Sequence, residues 1–183
     1  MRSKYSMLII SLFLFSFNII GQSIKPEPAQ KILDDAFKSA GKSNKSVFLI
    51  YHASWCSWCK RLEAAITSKD LNKIFEDHFV ITHLDVLERA EKIETLENPG
   101  GKEIMKKMGG ENSGLPFYVF LDAKGKTLAN SNAMPKDQNI GYPGSKDEIE
   151  VFVGLLKKSS SNINEKELAA VTEYFIKNAP KQQ

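Results

Sequence analysis

The spacing of apolar residues changes period several times along the chain, and each change marks an element. From Gln30 to Ser39, Ile32, Leu33, Ala36 and Phe37 recur at helical spacing, with Gly41 placed to end the helix. Ser46 to Ala53 is different: Val47-Phe48-Leu49-Ile50-Tyr51 is an unbroken apolar run of β-forming residues, which predicts a buried strand. A second helical pattern follows at once, through Leu62 and Ile66. Phe79 to Val86 is strand-like again, with His83 and Asp85 two apart and therefore on one face. Two polar, glycine-containing stretches, Asn98-Pro99-Gly100-Gly101 and Gly109 to Gly114, bracket a short helical segment from Lys102 to Met108. Pro116 to Leu121 predicts a third strand, Asp122 to Gly125 a hairpin-type turn, and Lys126 to Ala129 a fourth, shorter strand. Ser145 followed by Glu148 forms a capping box for a helix carrying Ile149, Phe152, Val153 and Leu156. Asn164 caps a last helix whose Leu168, Val171 and Phe175 share one face, so it is expected to dock on the domain. Helices alternating with strands, and a late strand pair, predict an α/β fold. Its core is a central mixed sheet of four to five strands flanked by helices, with an extra C-terminal helix.

The first residues follow another logic. Arg2 and Lys4 precede an apolar run from Met7 to Ile20, and Gly21, Gln22 and Ser23 follow, which is the three-part pattern of a secretory signal peptide. The run is about 14 residues, short of the roughly 20 that a spanning helix needs, which favours a cleaved signal over an uncleaved anchor. Cleavage is expected after Gly21 or Ser23, and no cysteine lies nearby to support a lipoprotein. Pro26-Glu27-Pro28 reads as a stiff spacer. The expected organisation is therefore a signal peptide at 1–23, a spacer at 24–29, one domain at 30–158 and a helical extension at 159–183. The expected location is the periplasm or the exterior. With 183 residues, a net charge of +3 and charges of both signs interspersed, the chain builds no phosphate-tracking surface, so nucleic acid is excluded as a partner.

Only two cysteines are present, Cys56 and Cys59, at the C-x-x-C spacing and at the junction between a buried strand and a helix. A helix starting at Cys56 surrounds its sulfur with free backbone N–H groups and the positive end of the helix dipole, which favours thiolate over thiol. Cys59, one turn on, faces the same side and is expected to be the less exposed of the two. The first sulfur then attacks and the second resolves the mixed disulfide. Three other readings compete. A purely structural disulfide would close a very short loop and restrict the unfolded chain little. A zinc site needs four ligands, and His52, His78 and His83 offer no second close pair. Copper(I) on two thiolates is chemically permitted.

The segment Ala53-Ser54-Trp55-Cys56-Ser57-Trp58-Cys59-Lys60 resembles the active-site motif of the thioredoxin superfamily, with a tryptophan before the first cysteine and a lysine after the second. A second match, Gly114 to Asp122, resembles the segment that carries that family's cis-proline and the following strand. The resemblance runs from about Gln30 to Leu156, and is greatest to secreted bacterial thioredoxin-like proteins with a Trp-Cys-x-x-Cys-Lys centre. It implies a thioredoxin-like fold, a cis Pro116 beside the Cys56 sulfur, and a Leu115 backbone that hydrogen-bonds an extended substrate. Trp55 would be a lid on the sulfur rather than a core aromatic, and Trp58 a partly exposed contact for the partner chain.

The departures from the family pattern are specific. The buried aspartate six residues before the first cysteine, which assists deprotonation of the second, is Ile50 here. Glu63 and His52 are the candidates for proton transfer in its place. The family's helix-kinking proline is Ala64, so this helix is expected to run straighter. Ser57-Trp58 matches neither the Gly-Pro pair of reducing members nor the Pro-His pair of oxidising ones, and without a histidine between the cysteines the balance leans toward a reductase or isomerase. The expected activity is thiol-disulfide exchange with exported proteins by a monomer, with no cofactor and a membrane or periplasmic partner to reset the pair. A redox-inert binding or chaperone module and a copper(I) metallochaperone are the alternatives. The segments 87–113 and 130–144 are longer than a minimal family member requires, and are expected either to rim the site and select partners or to be surface decoration.

Overall fold

A computed structural model describes residues 25–180; the expected signal peptide lies outside them. Four strands form one mixed sheet in the order β2-β1-β3-β4: β1 (Ser46–His52), β2 (Phe79–Asp85), β3 (Phe117–Leu121) and β4 (Thr127–Asn130). β1 pairs parallel with β2, and β3 lies antiparallel to both β1 and β4. Among the described residues seven α-helices accompany it: α1 (Ala29–Ser43), α2 (Ser57–Ile66), α3 (Asn72–His78), α4 (Ile93–Leu96), α5 (Gly101–Lys107), α6 (Lys146–Ser159) and α7 (Glu165–Lys177).

The continuous apolar runs of β1 and β3 are explained by burial on both faces. Phe48 and Ile50 of β1 join Tyr118 and Phe120 of β3 on one side, in a core shared with α2, α3, α6 and α7. Val47, Leu49 and Tyr51 join Phe117, Val119 and Leu121 on the other, covered by α1 and by Met105 of α5. The last helix belongs to the first of these cores, through buried Leu168, Val171 and Phe175. Both expected capping boxes are formed: Ser145 with Glu148, and Asn164 with Glu167. The expected turn before β4 is closed by the Asp122 carboxylate, which accepts from the amides of Lys124 and Lys126, and Gly125 takes a φ of 82° there.

The structure departs from the sequence reading at the end of α1 and at two short helices. Gly41 lies inside α1, which continues to Ser43 and ends on Asn44 in the left-handed conformation, φ 54°. Asparagine tolerates that geometry, and buried Ala40 carries the apolar stripe one turn further than expected. α2 ends at Ile66, the last position of its predicted apolar pattern, where the Thr67 hydroxyl donates to the Glu63 carbonyl, and the chain restarts as α3. α3 and α4 both fall in stretches that periodicity left without a helix, because α3 is short and mostly polar and α4 is a single turn.

Candidate active site

The C-terminal end of β1 delivers the chain into Ala53–Cys56, and α2 begins at the next residue. Cys56 is the N-cap of α2: its backbone is extended, and its sulfur accepts a hydrogen bond from the Cys59 amide at 3.1 Å. A negative charge on that sulfur is therefore favoured by an aimed N–H and by the helix dipole together. Cys56 and Cys59 are joined in a disulfide. Both are buried, 3% and 5% exposed, so Cys59 is not the less exposed of the two. In the bonded pair the two sulfurs share one apolar nest, lined by Ala53 and covered by Leu115.

Leu115 comes from the loop before β3, and the Leu115–Pro116 peptide bond is cis. Pro116 is buried and Leu115 half-buried. The side-chain amide of Asn139 holds this loop in place, donating to the carbonyls of Gly114 at 2.8 Å and Pro116 at 3.1 Å. Asn139 belongs to the long segment 130–144, which also lines a cleft of about 480 Å3 together with Trp58, Leu115 and Tyr142. That segment therefore rims the site.

The two tryptophans stand at the surface beside the disulfide, each 46% exposed. Trp55 donates its indole N–H to the Leu87 carbonyl at 2.9 Å, which pins it to the loop after β2. Trp58 stacks on Tyr142 with ring centroids 5.8 Å apart, and the Arg61 guanidinium lies 5.5 Å from one ring centre and 5.4 Å from the other. This cation-aromatic group forms a flat rim on the side of the cis-proline loop.

Behind the disulfide lies a second cleft, about 900 Å3, lined by Cys59, His52, Glu63, His83 and Asp85 among others. His83 and Glu63 share a hydrogen bond of 2.7 Å, and His52 Nε2 lies 3.4 Å from Asp85 Oδ1. The two imidazole rings are 5.1 Å apart. Burial pushes His52 below the ordinary imidazole range and Asp85 above the ordinary carboxylate range, while the hydrogen bond from His83 holds Glu63 low. Glu63 and His52, proposed from the sequence for proton transfer, are thus brought to the Cys59 side of the pair. Among the described residues no group of three or more His, Cys, Asp or Glu side chains is arranged to hold a metal ion.

Several participants were not singled out in the sequence. Glu88, 7% exposed, accepts from both the backbone amide and the hydroxyl of Ser54, bracing the loop that carries Trp55 and Cys56. Arg61, Tyr142 and Asn139 reach the site from outside both motifs. Nothing in their local sequence sets them apart from a helix arginine, a loop tyrosine and a loop asparagine. For His83 and Asp85 a signal did exist, since their shared strand face was readable, but the strand's place beside β1 was not.

A family model described as a thioredoxin-like domain matches residues 33–140, more than half of the chain. Among solved structures, the chain is similar to a disulphide isomerase from Xylella fastidiosa Temecula1. The identity is 15%, the TM-score 0.49, and coverage 82% of this chain and 90% of that one. It is also similar to a DsbH oxidoreductase, at 20% identity and TM-score 0.45, covering 85% and 95%. A thioredoxin from Thermus thermophilus gives 17% identity and TM-score 0.43, covering 73% and 85%. With a mixed four-stranded sheet, helices on both faces and a Trp-Cys-x-x-Cys centre at the start of α2, this chain belongs to the thioredoxin-like domain family.

Proposed function

We propose that this protein is a thiol-disulfide oxidoreductase that exchanges disulfides with exported proteins through Cys56 and Cys59. The observation that carries the reading is the seat of Cys56: its sulfur caps α2, receives the Cys59 amide, and is packed by Leu115 of the cis-proline loop beside two exposed tryptophans. In the reducing direction the Cys56 thiolate attacks one sulfur of a substrate disulfide, forming a mixed disulfide and releasing the other substrate sulfur as a thiolate, which is then protonated. Cys59 then attacks the Cys56 sulfur. The protein disulfide forms, the mixed disulfide breaks, and the second substrate sulfur leaves as a thiol. Two electrons pass from the pair to the substrate, so no bound cofactor is needed, and a membrane or periplasmic dithiol partner returns them. Run backwards, the same steps oxidise a substrate dithiol, and attack on the mixed disulfide by another substrate thiolate in place of Cys59 isomerises the substrate and returns Cys56 as a thiolate.

A reductase or isomerase role is favoured by Ser57 and Trp58 between the cysteines, where no imidazolium stands to stabilise the Cys56 thiolate further. Trp58, stacked on Tyr142, offers the partner chain a flat surface, and the Leu115 backbone offers hydrogen bonds to an extended segment. The reading takes the protein to act as a monomer in the periplasm or outside the cell, in keeping with the signal-like first residues. No helix among the described residues is long and apolar enough to cross a membrane.

Trapping tests this reading. Cys59→Ser removes the resolving sulfur, so exposure to exported proteins should accumulate mixed disulfides through Cys56 that dithiothreitol releases, and that the Cys56→Ser/Cys59→Ser double variant does not form. A Cys59→Ser protein that captures nothing covalently would favour the redox-inert binding module instead.

A further inference from the structure

The family's buried aspartate is replaced by Ile50, which sits in the apolar core against Leu62 and Ile66. The sheet supplies a different set of proton-handling groups. Residues two apart on a strand share a face, so His52 continues the face of Phe48 and Ile50 one pleat nearer the disulfide, roughly 7 Å along β1. Ile50 pairs with His83 and His52 with Asp85 across the parallel ladder, placing two histidines and an aspartate in one patch facing α2. α2 closes the patch with Cys59 and, one turn on, Glu63.

We propose that the His52 imidazole, oriented by Asp85, accepts the Cys59 thiol proton when Cys59 attacks the mixed disulfide, and returns it when the protein disulfide is reduced. This rests on the oxidoreductase reading and deepens it. In the forward step the Cys59 S–H bond breaks, its proton passes across the cleft to His52, and the electron pair left on sulfur forms the Cys59–Cys56 bond. The Cys56–substrate bond breaks, and its electron pair leaves on the substrate sulfur. The groups facing His52 are His83 and Asp85 from β2, Glu63 and Lys60 from α2, and Glu88 from the loop after β2. Glu63 is engaged by His83 at 2.7 Å and held ionised in that pair. Among the described residues His52 has only Asp85 within 4 Å as an ionic partner, and burial lowers its proton affinity from the ordinary imidazole value.

The experiment separates the two cysteines in time. Mixing the reduced protein with excess 5,5′-dithiobis(2-nitrobenzoate) releases a first nitrothiobenzoate as Cys56 attacks. A second is released, at a rate independent of reagent concentration, as Cys59 resolves the adduct. The expected result is that His52→Gln and His52→Asn leave the first release unchanged and slow the second by roughly tenfold or more near pH 7, at or below the general-base range. In the unaltered protein the second release should fall as pH drops through the His52 titration, and that acid limb should vanish in both variants. Glu63→Gln, which removes the partner of His83 in the same cleft, should slow the second release by clearly less than either His52 variant. A second release unchanged in both His52 variants would overturn the proposal, as would a Glu63→Gln slowing as large as theirs. An unaltered protein that gives a first release and no second would instead overturn the oxidoreductase reading itself.

Discussion

Replacing Cys56 with serine is expected to reduce disulfide exchange to the uncatalysed rate, a loss of roughly three orders of magnitude or more, as when other enzymes lose their nucleophile. The reasoning is local. A serine hydroxyl at the N-cap still accepts from the Cys59 amide, so α2 keeps its cap and the fold its geometry. What disappears is the one sulfur that the helix end and the Cys59 amide stabilise as a thiolate. Cys59 cannot substitute, because it lines the His52 cleft rather than the aromatic rim and lies inside the first turn of α2, where its sulfur does not cap the helix. Reduction of an insulin-type disulfide substrate, followed by turbidity, measures this. Retention of a tenth or more of the activity, on the general scale of such losses, would mean that Cys59 alone attacks substrate and that the roles assigned above are reversed.

The largest expected effect on stability comes from Phe48→Ala. Phe48 is fully buried at the centre of β1, with ring centroids 4.6 Å from Phe120, 5.5 Å from Tyr118, and 6.0 Å from both Phe75 and Phe79. Its removal leaves a cavity walled by four aromatic rings anchored on β3, α3 and the start of β2, which cannot collapse together. The expected loss is about 3–5 kcal/mol, a large share of the roughly 5–15 kcal/mol that keeps a domain folded. Urea denaturation should show a lower midpoint with an unchanged slope. A loss below about 1 kcal/mol would show that this core relaxes around the vacancy in a way close-packed aromatic rings do not.

The same residues explain why so much of the fold is legible in the sequence. Val47 to Tyr51 and Phe117 to Leu121 are apolar at every position because each strand is covered on both sides, and a run of that kind, flanked by polar turns, has few other readings. Capping boxes at Ser145 and Asn164 are written in local side-chain chemistry, so the last two helices could be placed closely. α3 and α4 were invisible for the converse reason. Each is held by neighbours rather than by its own stripe: α3 by Phe75 entering the aromatic core, α4 with no buried residue at all.

The site divides in the same way. Cys56, Cys59 and Pro116 belong to two short motifs whose residues are contiguous, and contiguity survives in sequence. The His52, Asp85, His83 and Glu63 cluster is assembled by the β1-β2 register and by α2 crossing above it. Spacing along the chain hinted at Glu63 and His52 separately, through their distance from the cysteines, and could not show that they meet two β2 residues. Asn139, Tyr142 and Arg61 meet only after the segment 130–144 has folded back on the cis-proline loop.

The central claim, that Cys56 and Cys59 form a working redox couple rather than a staple, is tested most directly by equilibrating the folded protein with graded ratios of reduced and oxidised dithiothreitol or glutathione. The account predicts a single reversible two-electron transition between the roughly −270 mV of reducing family members and the roughly −120 mV of oxidising ones, nearer the reducing end. A pair that stays oxidised below about −300 mV, in the range of structural disulfides, or that is reduced only when the protein unfolds, would contradict it.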